Sequence, residues 1–232
     1  MCNVNPVAYD GTKARKLNDS GCDDIRFGVE SGSERVKKDI LRRPVPNAKV
    51  IDAFRINREL GMMTSSFNMI GLPTETREEV LDTLRLNAQI SPDTVKVMTF
   101  YPFKNTPIYD LCEELGLIDF GKKLELDNYD TFTCLKFPAG HQLFLKKVQA
   151  AFNWYLNAFA DNESSKEYSR MVEEIEYMDE EQWSRFDFYA ADEALSEKMK
   201  RKEIPHYSKF VNRSLAVKFP SRHFSEEVAD AG

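Results

Sequence analysis

Short apolar runs alternate with amphipathic segments between residue 1 and about residue 118. Ile25 to Val29 and Thr94 to Tyr101 have the apolar and β-branched residues of short strands. Thr76 to Ile90 carries apolar residues at helical spacing, and Thr76 is a good N-cap. A strand, a polar loop and a helix thus recur about three times before Leu117, which predicts βαβ units with parallel strands.

The other predicted elements of this half are shorter or less regular. Val4 to Ala8 is predicted to be the end of a first strand, and Met62 to Leu72 is a mostly apolar segment. Four helices are predicted: over Thr12 to Asn18, from an N-cap at Ser33 through Leu41, over Val50 to Leu60, and from Pro107 to a stop at Gly116. Each predicted strand ends in a loop rich in Gly, Pro and Ser. In open α/β sheets and barrels, these carboxyl ends hold the ligands.

After about residue 119 the pattern becomes mainly helical. Aromatic and aliphatic residues three or four apart predict an amphipathic helix over Leu143 to Phe159, with its aromatic stripe in the core. An acidic helix over Glu167 to Met178 and a mixed helix over Gln182 to Lys202 follow. The tail from His206 is expected to be a solvated extension, with an anion site as the alternative. Its basic residues are Lys209, Arg213, Lys218 and Arg222.

The composition is typical of a soluble globular chain, since 42% of the 232 residues are hydrophobic and 30% are charged. There are 38 Asp and Glu against 32 Lys and Arg, a formal charge of −6. A sequence-independent nucleic-acid binder needs a basic surface to displace counterions, so the excess of acid argues against that class. No apolar run approaches the ~20 residues of a membrane span, and the amino terminus lacks a basic and then apolar signal segment. We therefore expect a cytoplasmic protein with no nucleic-acid partner.

The cysteines lie far apart, at Cys2, Cys22, Cys112 and Cys134. This spacing contains no CxxC pair and predicts four free thiols in a reducing cytosol. It excludes a self-contained zinc or iron–sulfur site built from closely spaced cysteines. GxSxG, Walker A, HExxH and GxGxxG segments are also absent from the sequence.

Polar and glycine residues at the predicted strand ends are the candidate ligand contacts. Glu30 follows the first of these strands, and its carboxylate can accept two hydroxyl groups, as from a ribose; alternatively it caps the next helix or pairs with an arginine. Gly71 permits a flat ring to approach the backbone, or simply belongs to an ordinary loop. The loop from Tyr101 walls a pocket or seals the core. Arg42 and Arg43 offer paired donors for a carboxylate, or form a surface pair.

The order of the segments is more specific than any one of them. The chain contains, in this order, Gly-Val-Glu-Ser-Gly-Ser-Glu-Arg, a further arginine, Met-Ile-Gly-Leu-Pro-x-Glu-Thr and Phe-Tyr-Pro-x-x-x-Thr-Pro-Ile-Tyr. This order resembles the radical SAM superfamily, and more narrowly the back half of the catalytic barrel in its cobalamin-binding branch. The resemblance covers roughly residues 2–118. It implies an α/β fold in which residues 1–118 form the C-terminal half of a partial (β/α)₆ TIM-like barrel, followed by a mainly helical extension over residues 119–232.

The resemblance also implies roles for individual residues in a site for S-adenosylmethionine. Glu30 and Ser31 match the end of the fourth strand, which contacts the ribose. Arg43, with Arg42 as the alternative, matches a residue that pairs with the methionine carboxylate. The adenine is expected to lie against the ends of the fifth and sixth strands, at Ile70, Gly71, Phe100 and Tyr101.

Two positions depart from the family pattern at turns where glycine is common. Asn105 is a mild change because asparagine tolerates positive φ. Thr74 is β-branched, which predicts a remodelled turn.

In this family, three cysteines of a CxxxCxxC loop hold a 4Fe–4S cluster, which cleaves S-adenosylmethionine to a radical that abstracts hydrogen from the substrate. The chain has no CxxxCxxC. It is therefore expected to be inactive alone and to bind no cofactor tightly, while cobalamin would bind to a domain further upstream. The substrate, a small molecule, and the choice between methyltransferase and cyclase chemistry stay open.

These observations lead to the hypothesis that the chain is a fragment of a radical SAM enzyme. It would supply the ribose, adenine and carboxylate side of the S-adenosylmethionine pocket, and its partner would be the missing N-terminal part of the same protein. The alternative is a non-enzymatic half-barrel subunit that pairs with a separate chain bearing the cluster.

Overall fold

Six strands form one sheet in a computed structural model of the chain, which describes residues 1–125, 133–212 and 215–219. The strands are β1 (Cys2–Val4), β2 (Asp24–Glu30), β3 (Met63–Ile70), β4 (Thr94–Thr99), β5 (His206–Asn212) and β6 (Leu215–Phe219). Their order across the sheet is β1-β2-β3-β4-β6-β5. The first four are parallel and adjacent in chain order, whereas β6 is antiparallel to both β4 and β5.

Helices connect the parallel strands and cover one side of the sheet. Over the described ranges the α-helices are α1 (Gly11–Asp19), α2 (Asn47–Glu59), α3 (Arg77–Ile90), α4 (Pro107–Glu114), α5 (Phe120–Glu125), α6 (Ala139–Phe159), α7 (Ser165–Tyr177), α8 (Glu180–Arg185) and α9 (Phe188–Arg201). The helix predicted after Ser33 includes a π-helix over Val36–Ile40, between β2 and α2. Because α1, α2 and α3 each join one parallel strand to the next, the predicted α/β class with βαβ units is confirmed. The described strands form an open sheet. None of the described helices has the length and apolar character needed to cross a membrane.

The two faces of the parallel strands differ in polarity. In β2, Ile25, Phe27 and Val29 are buried beneath the helices, while Arg26 and Gly28 on the opposite face are half-buried. Successive side chains of a strand alternate between faces, so the burial pattern identifies which face packs. We call the side opposite the helices the inner face. By alternation and register it carries Asn3, Arg26, Gly28, Ser65, Phe67, Thr94 and Lys96.

The long helix α6 forms the second part of the core. Its aromatic residues Phe152, Trp154 and Tyr155 are buried, which confirms the core-facing stripe, although Phe159 at its end is 40% exposed. The same apolar cluster includes side chains from β3, α3 and β4, such as Ile70. Residues on both sides of position 118 therefore share one core, while the division into domains 1–118 and 119–232 stays a prediction.

Two local predictions were wrong. The first strand ends at Val4, because Asn5 caps a 3-10 turn over Pro6–Ala8 by accepting a hydrogen bond from Val7 N at 3.0 Å. The mixed helix expected over residues 182–202 is two helices, α8 and α9. Asp187 separates them, since its side chain accepts a hydrogen bond from Ala190 N at 3.0 Å and so begins a new helix.

The expectation of a solvated tail from His206 was also wrong for its described part, which forms β5 and β6. Tyr207 is 3% exposed, and its hydroxyl donates to the carbonyl of Pro92 at 2.8 Å. Asn157 of α6 bonds to both the N–H and the carbonyl of Tyr207, at 2.8 and 2.9 Å. Lys209 lies 5.2 Å from the ring of Phe188, and burial lowers its pKa to about 8. Arg213 and Arg222 lie outside the described residues.

Candidate functional site

The carboxyl ends of β1 to β4 meet at one edge of the sheet, because these strands are parallel and adjacent. The predicted ligand loops begin there. A cavity of about 500 Å³ opens between this edge and the inner face, and its lining includes Asn5, Arg26, Gly28, Glu30, Arg43 and Phe67. This cavity is the candidate site.

Glu30 turns the chain sharply at the end of β2. Its φ is 64°, in the left-handed region that a glutamate seldom adopts. The pairing with β3 shifts by one residue between Gly28 and Glu30. The carboxylate folds back over Gly28, where a Cβ atom would lie only 2.5 Å from Glu30 Oε1. The glycine therefore leaves the space that the carboxylate uses, and the strained turn keeps that carboxylate in the cavity.

Arg43 pairs with Glu30 across the mouth of the cavity. Arg43 Nη1 donates to Glu30 Oε1 at 3.2 Å. Partial burial raises the pKa of Glu30, and the charge of Arg43 opposes that rise. Arg42 is exposed and has no contact with Glu30 among the described residues, so of the two candidate arginines Arg43 is the one that pairs with Glu30. The contact of either arginine with the methionine carboxylate stays a prediction. The alternative interpretation of Glu30, a pair with an arginine, is therefore observed, and both side chains line the cavity. The ribose contact of Glu30 stays a prediction.

Ser31 lies away from the cavity. Its side chain is fully buried, and its hydroxyl lies 3.3 Å from Thr83 Oγ1 of α3. The next residue, Gly32, passes so close to α3 that a Cβ atom would lie 2.2 Å from the carbonyl oxygen of Asp82. These contacts join the loop after β2 to α3. The ribose contact of Ser31 stays a prediction.

The loop after β3 is held by a buried carboxylate. Gly71 has a φ of 74°, and its N–H donates to Glu75 Oε2 at 2.7 Å; the N–H of Leu72 donates to the same oxygen at 3.2 Å. The side chain of Ile70 is fully buried in the core beneath α6. A flat ligand at this strand end would therefore contact the backbone at Gly71, while the side chain of Ile70 packs in the core on the helix side of the sheet.

Glu75 is a residue whose importance the sequence analysis missed. It is 3% exposed, and burial raises the pKa of its carboxyl to about 8 even though two backbone N–H groups oppose the rise. Oε1 is buried and has no hydrogen-bond partner in the described part of the chain. The available signal was a glutamate four residues after a glycine that ends a strand, where it can accept from the turn that precedes it.

The loop after β4 lies beside the Gly71 loop, because Phe100 N donates to the carbonyl of Ile70 at 2.8 Å. Phe100 is 6% exposed and belongs to the core. Tyr101 is half-buried, with its ring centre 5.0 Å from that of Phe103. Asn105 has a φ of 66°, as expected of an asparagine in place of glycine.

An ion pair that the sequence analysis also missed fastens the loops after β2 and β3 to each other. Arg35 donates from Nε and Nη2 to the two carboxylate oxygens of Glu79, at 2.6 and 2.7 Å. This bidentate bond is the main reason that the pKa of Glu79 is lowered to about 2. Arg35 also donates to the carbonyl of Thr74 at 3.1 Å. Thr74 has a φ of 62°, so the turn keeps a glycine-like conformation despite its β-branched side chain.

The described residues offer no position for an iron–sulfur cluster. They contain no group of three His, Cys, Asp or Glu side chains that could hold a metal ion. All four cysteines are free thiols; Cys22, Cys112 and Cys134 are buried and Cys2 is half-buried. The donor set does not fit the cluster that the resemblance implies, and we derive no chemical step through that cluster.

The fold is an open α/β sheet with a carboxylate, an arginine and a glycine turn at the carboxyl ends of its parallel strands, the edge at which such sheets bind their ligands. Residues 1–86 match the model of the Radical SAM superfamily. The predicted recognition is confirmed at this level. S-adenosylmethionine and a 4Fe–4S cluster are the cofactors that define the superfamily's chemistry.

The chain is also similar to individual proteins. The chain is 29% identical, over 143 residues, to an uncharacterized methyltransferase of Pyrococcus horikoshii, covering 62% of this chain and 31% of the relative. Among solved structures, it is similar to the radical SAM enzyme coproporphyrinogen III oxidase (HemN) of Escherichia coli, with a TM-score of 0.47, 19% identity and coverage of 64% of this chain and 30% of that one. It is also similar to TsrM of Kitasatospora setae, a radical S-adenosylmethionine methyltransferase with cobalamin and a [4Fe-4S] cluster bound, with a TM-score of 0.43, 18% identity and coverage of 48% and 22%. The matched region thus spans less than a third of each of these relatives.

Proposed function

We propose that this chain supplies the ribose, carboxylate and adenine side of an S-adenosylmethionine pocket in a radical SAM protein. The observation that carries the proposal is the pairing of Glu30 with Arg43 at 3.2 Å on the wall of a cavity at the carboxyl ends of the parallel strands. The two groups stand 13 residues apart in the sequence.

The chemistry of this pair suits the two polar ends of the cofactor. Glu30 Oε1 accepts from Arg43, and Oε2 has no hydrogen-bond partner among the described residues. A carboxylate so placed accepts ribose hydroxyl protons. The Arg43 side chain is 51% exposed and uses one nitrogen on Glu30, so its other nitrogens are available to a ligand carboxylate. The partial burial that raises the pKa of Glu30 also strengthens hydrogen bonds made there.

The loop after β3 suits the flat base. Gly71 has no side chain, and a Cβ atom there would lie 3.3 Å from Leu145 Cδ1 and 3.6 Å from Thr99 Cγ2. The side of Gly71 on which a Cβ atom would lie is therefore packed against apolar atoms of the chain itself. An adenine ring would lie against the opposite, backbone side of this turn, next to the loop from Phe100 and Tyr101.

We propose that the cluster ligands come from polypeptide outside these 232 residues, since the sequence contains no CxxxCxxC. That polypeptide is either another part of the same protein or a separate chain. The reaction of the whole protein, its small-molecule substrate and the use of cobalamin belong to that assembly. Methyltransferase and cyclase chemistry both stay open.

Ligand-observed NMR tests the part of the proposal that concerns this chain. The full 232-residue chain is mixed with S-adenosylhomocysteine, which keeps the ribose, adenine and amino-acid groups and is not cleaved. Saturation transfer from the protein detects binding even at Kd values of about 1 mM. We expect transfer to the adenine and ribose protons, and its loss in Glu30→Gln and Arg43→Gln.

Asp52→Asn serves as the matched control, because Asp52 forms a comparable ion pair with Arg55 on the exposed side of α2. This variant should bind like the wild-type chain. Equal transfer in all variants, or no transfer from the wild-type chain to the ligand, would contradict the proposed pocket.

A further inference from the structure

A second group of candidate ligand-binding side chains lies on the inner face, nearer the amino ends of the strands. Arg26 of β2 is paired with Ser65 of β3, and Phe67 of β3 is paired with Lys96 of β4. Side chains of neighbouring strands at paired positions share a face, and adjacent strands are about 5 Å apart. Arg26 and Lys96 therefore stand on opposite sides of the strand that carries the ring of Phe67.

A chain of hydrogen bonds across three strands holds Arg26. Asp24 Oδ2 accepts from Arg26 Nε at 3.3 Å, and Asp24 Oδ1 accepts from Ser65 Oγ at 3.4 Å. Thr94 Oγ1 in turn donates to Ser65 Oγ at 2.6 Å. This support uses only the Nε position of Arg26. Its two terminal nitrogens have no partner among the described residues, although the side chain lines the cavity.

The positive charge of this region has little compensation. Lys96 Nζ makes no hydrogen bond or ion pair with the described residues, although it extends from a half-buried position. The two carboxylates nearby are already engaged, Asp24 by Arg26 and Glu30 by Arg43. Arg26 lines the cavity, and Lys96 lies on the same face of the sheet by its pairing with Phe67. Two cations with free donors on one face favour an anion, because charge-assisted hydrogen bonds are the strongest of their kind.

We propose that this part of the cavity binds the carboxylate group of a planar organic acid. The terminal nitrogens of Arg26 donate to the carboxylate oxygens, Lys96 completes the charge, and the flat body of the acid packs against Phe67. A cavity of about 500 Å³ has room for such a molecule. The inference rests on the proposed function in one respect, because it assigns this acid to the substrate class that would lie beside S-adenosylmethionine.

Titration with 2-naphthoate and with its neutral isostere 2-naphthamide tests the inference on the full chain. Binding is followed by backbone amide NMR shifts. We expect naphthoate to bind about ten times more tightly than naphthamide and to shift amides of β2, β3 and β4. Arg26→Gln and Lys96→Gln should each weaken naphthoate binding about five-fold or more, while Arg26→Lys should keep part of the affinity.

Arg55→Gln is the matched control, since it removes a cation from an exposed ion pair of α2. It should leave naphthoate binding unchanged. Equal binding of naphthoate and naphthamide, unchanged naphthoate affinity in the Arg26→Gln and Lys96→Gln double variant, or no naphthoate binding would each overturn the inference. Glu30→Gln separates the two proposals, because it should abolish S-adenosylhomocysteine binding and leave naphthoate binding intact.

Discussion

The buried carboxyl of Glu75 makes a prediction that concerns the stability of the chain itself. Glu75 holds the Gly71 turn through Oε2, while Oε1 is buried without a partner among the described residues. Replacing Glu75 by Gln keeps a carbonyl oxygen for the two backbone N–H groups and removes the titration. The glutamine is neutral at every pH, as the protonated glutamate is, and it still accepts hydrogen bonds from both N–H groups.

The sign and size of the effect follow from the pKa. The folded chain raises the pKa of Glu75 from 4.5 to about 8, so between these values the folded state binds a proton that the unfolded state has lost. The free energy of unfolding therefore falls as the pH rises through this window. The full shift corresponds to roughly 5 kcal/mol, and about 3 kcal/mol of it falls between pH 5 and pH 8. The Glu75→Gln variant lacks this fall in the free energy of unfolding, because its side chain does not titrate.

Urea unfolding of the full chain at a series of pH values measures the difference, with the fluorescence of the buried Trp154 as the probe. Other titrating groups are common to both proteins and cancel. We expect the two to be within about 1 kcal/mol of each other at pH 5 and the variant to be more stable at pH 8 by about 2–3 kcal/mol. The control is Glu78→Gln, a substitution on the exposed side of the adjoining helix α3, and its profile should run parallel to that of the wild-type chain. If the Glu75→Gln profile is also parallel, the carboxyl is not buried and protonated as described.

Three further substitutions test the loops around the site. Gly32→Ala should lower the free energy of unfolding by about 3 kcal/mol or more, because the new Cβ atom would lie 2.2 Å from the backbone oxygen of Asp82. Urea unfolding measures this loss, with Gly140→Ala as the control because the space around Gly140 is open. Thr74→Gly should raise the melting temperature and add about 1 kcal/mol, because it removes a β-branched residue from a φ of 62°, and a lower melting temperature would contradict that reasoning. Glu79→Gln should lower the free energy of unfolding by about 2 kcal/mol at pH 7 and by almost nothing near pH 2. The pKa of Glu79 is about 2 in the folded chain, so the stability that its carboxylate contributes is present above pH 4.5 and is lost as the pH falls. A pH-independent loss in urea unfolding would refute the bidentate pair.

Much of the fold could be predicted from the sequence, because its signals are local. The alternation in Ile25 to Val29 marks a strand with one buried face, and Thr76 begins α3 with a capping box, in which its side chain accepts from Glu79 N. Asn105 adopts the positive φ expected of it. Strand β5 could not be predicted in this way. Its edge is fixed by Asn157 and Pro92, which are distant in the sequence, and no periodicity within the tail reports such contacts.

The candidate site shows the same limit. Glu30 and Arg43 were predicted through the resemblance to a family, and the structure brings these two together at 3.2 Å. Ser31 was predicted alongside Glu30, but its hydroxyl lies against α3, because the chain reverses at the left-handed Glu30. The spacing of Glu75 from Gly71 indicated that it can accept from the turn, but it carried no signal that the carboxylate is buried, because burial depends on which elements cover the loop.

Groups that do not line the cavity hold its rim in place. Glu30 has a left-handed conformation that costs of order 1–3 kcal/mol, and such strain persists only where the surroundings fix it. Ser31 and Gly32 anchor the following loop to α3, and the Arg35–Glu79 pair ties the same loop to the turn after β3. Because these contacts lie within the chain itself, they fix the position of the Glu30 carboxylate without a contribution from a ligand. A ligand with ribose hydroxyl groups therefore meets an acceptor that needs no reorganisation, which lowers the free-energy cost of binding.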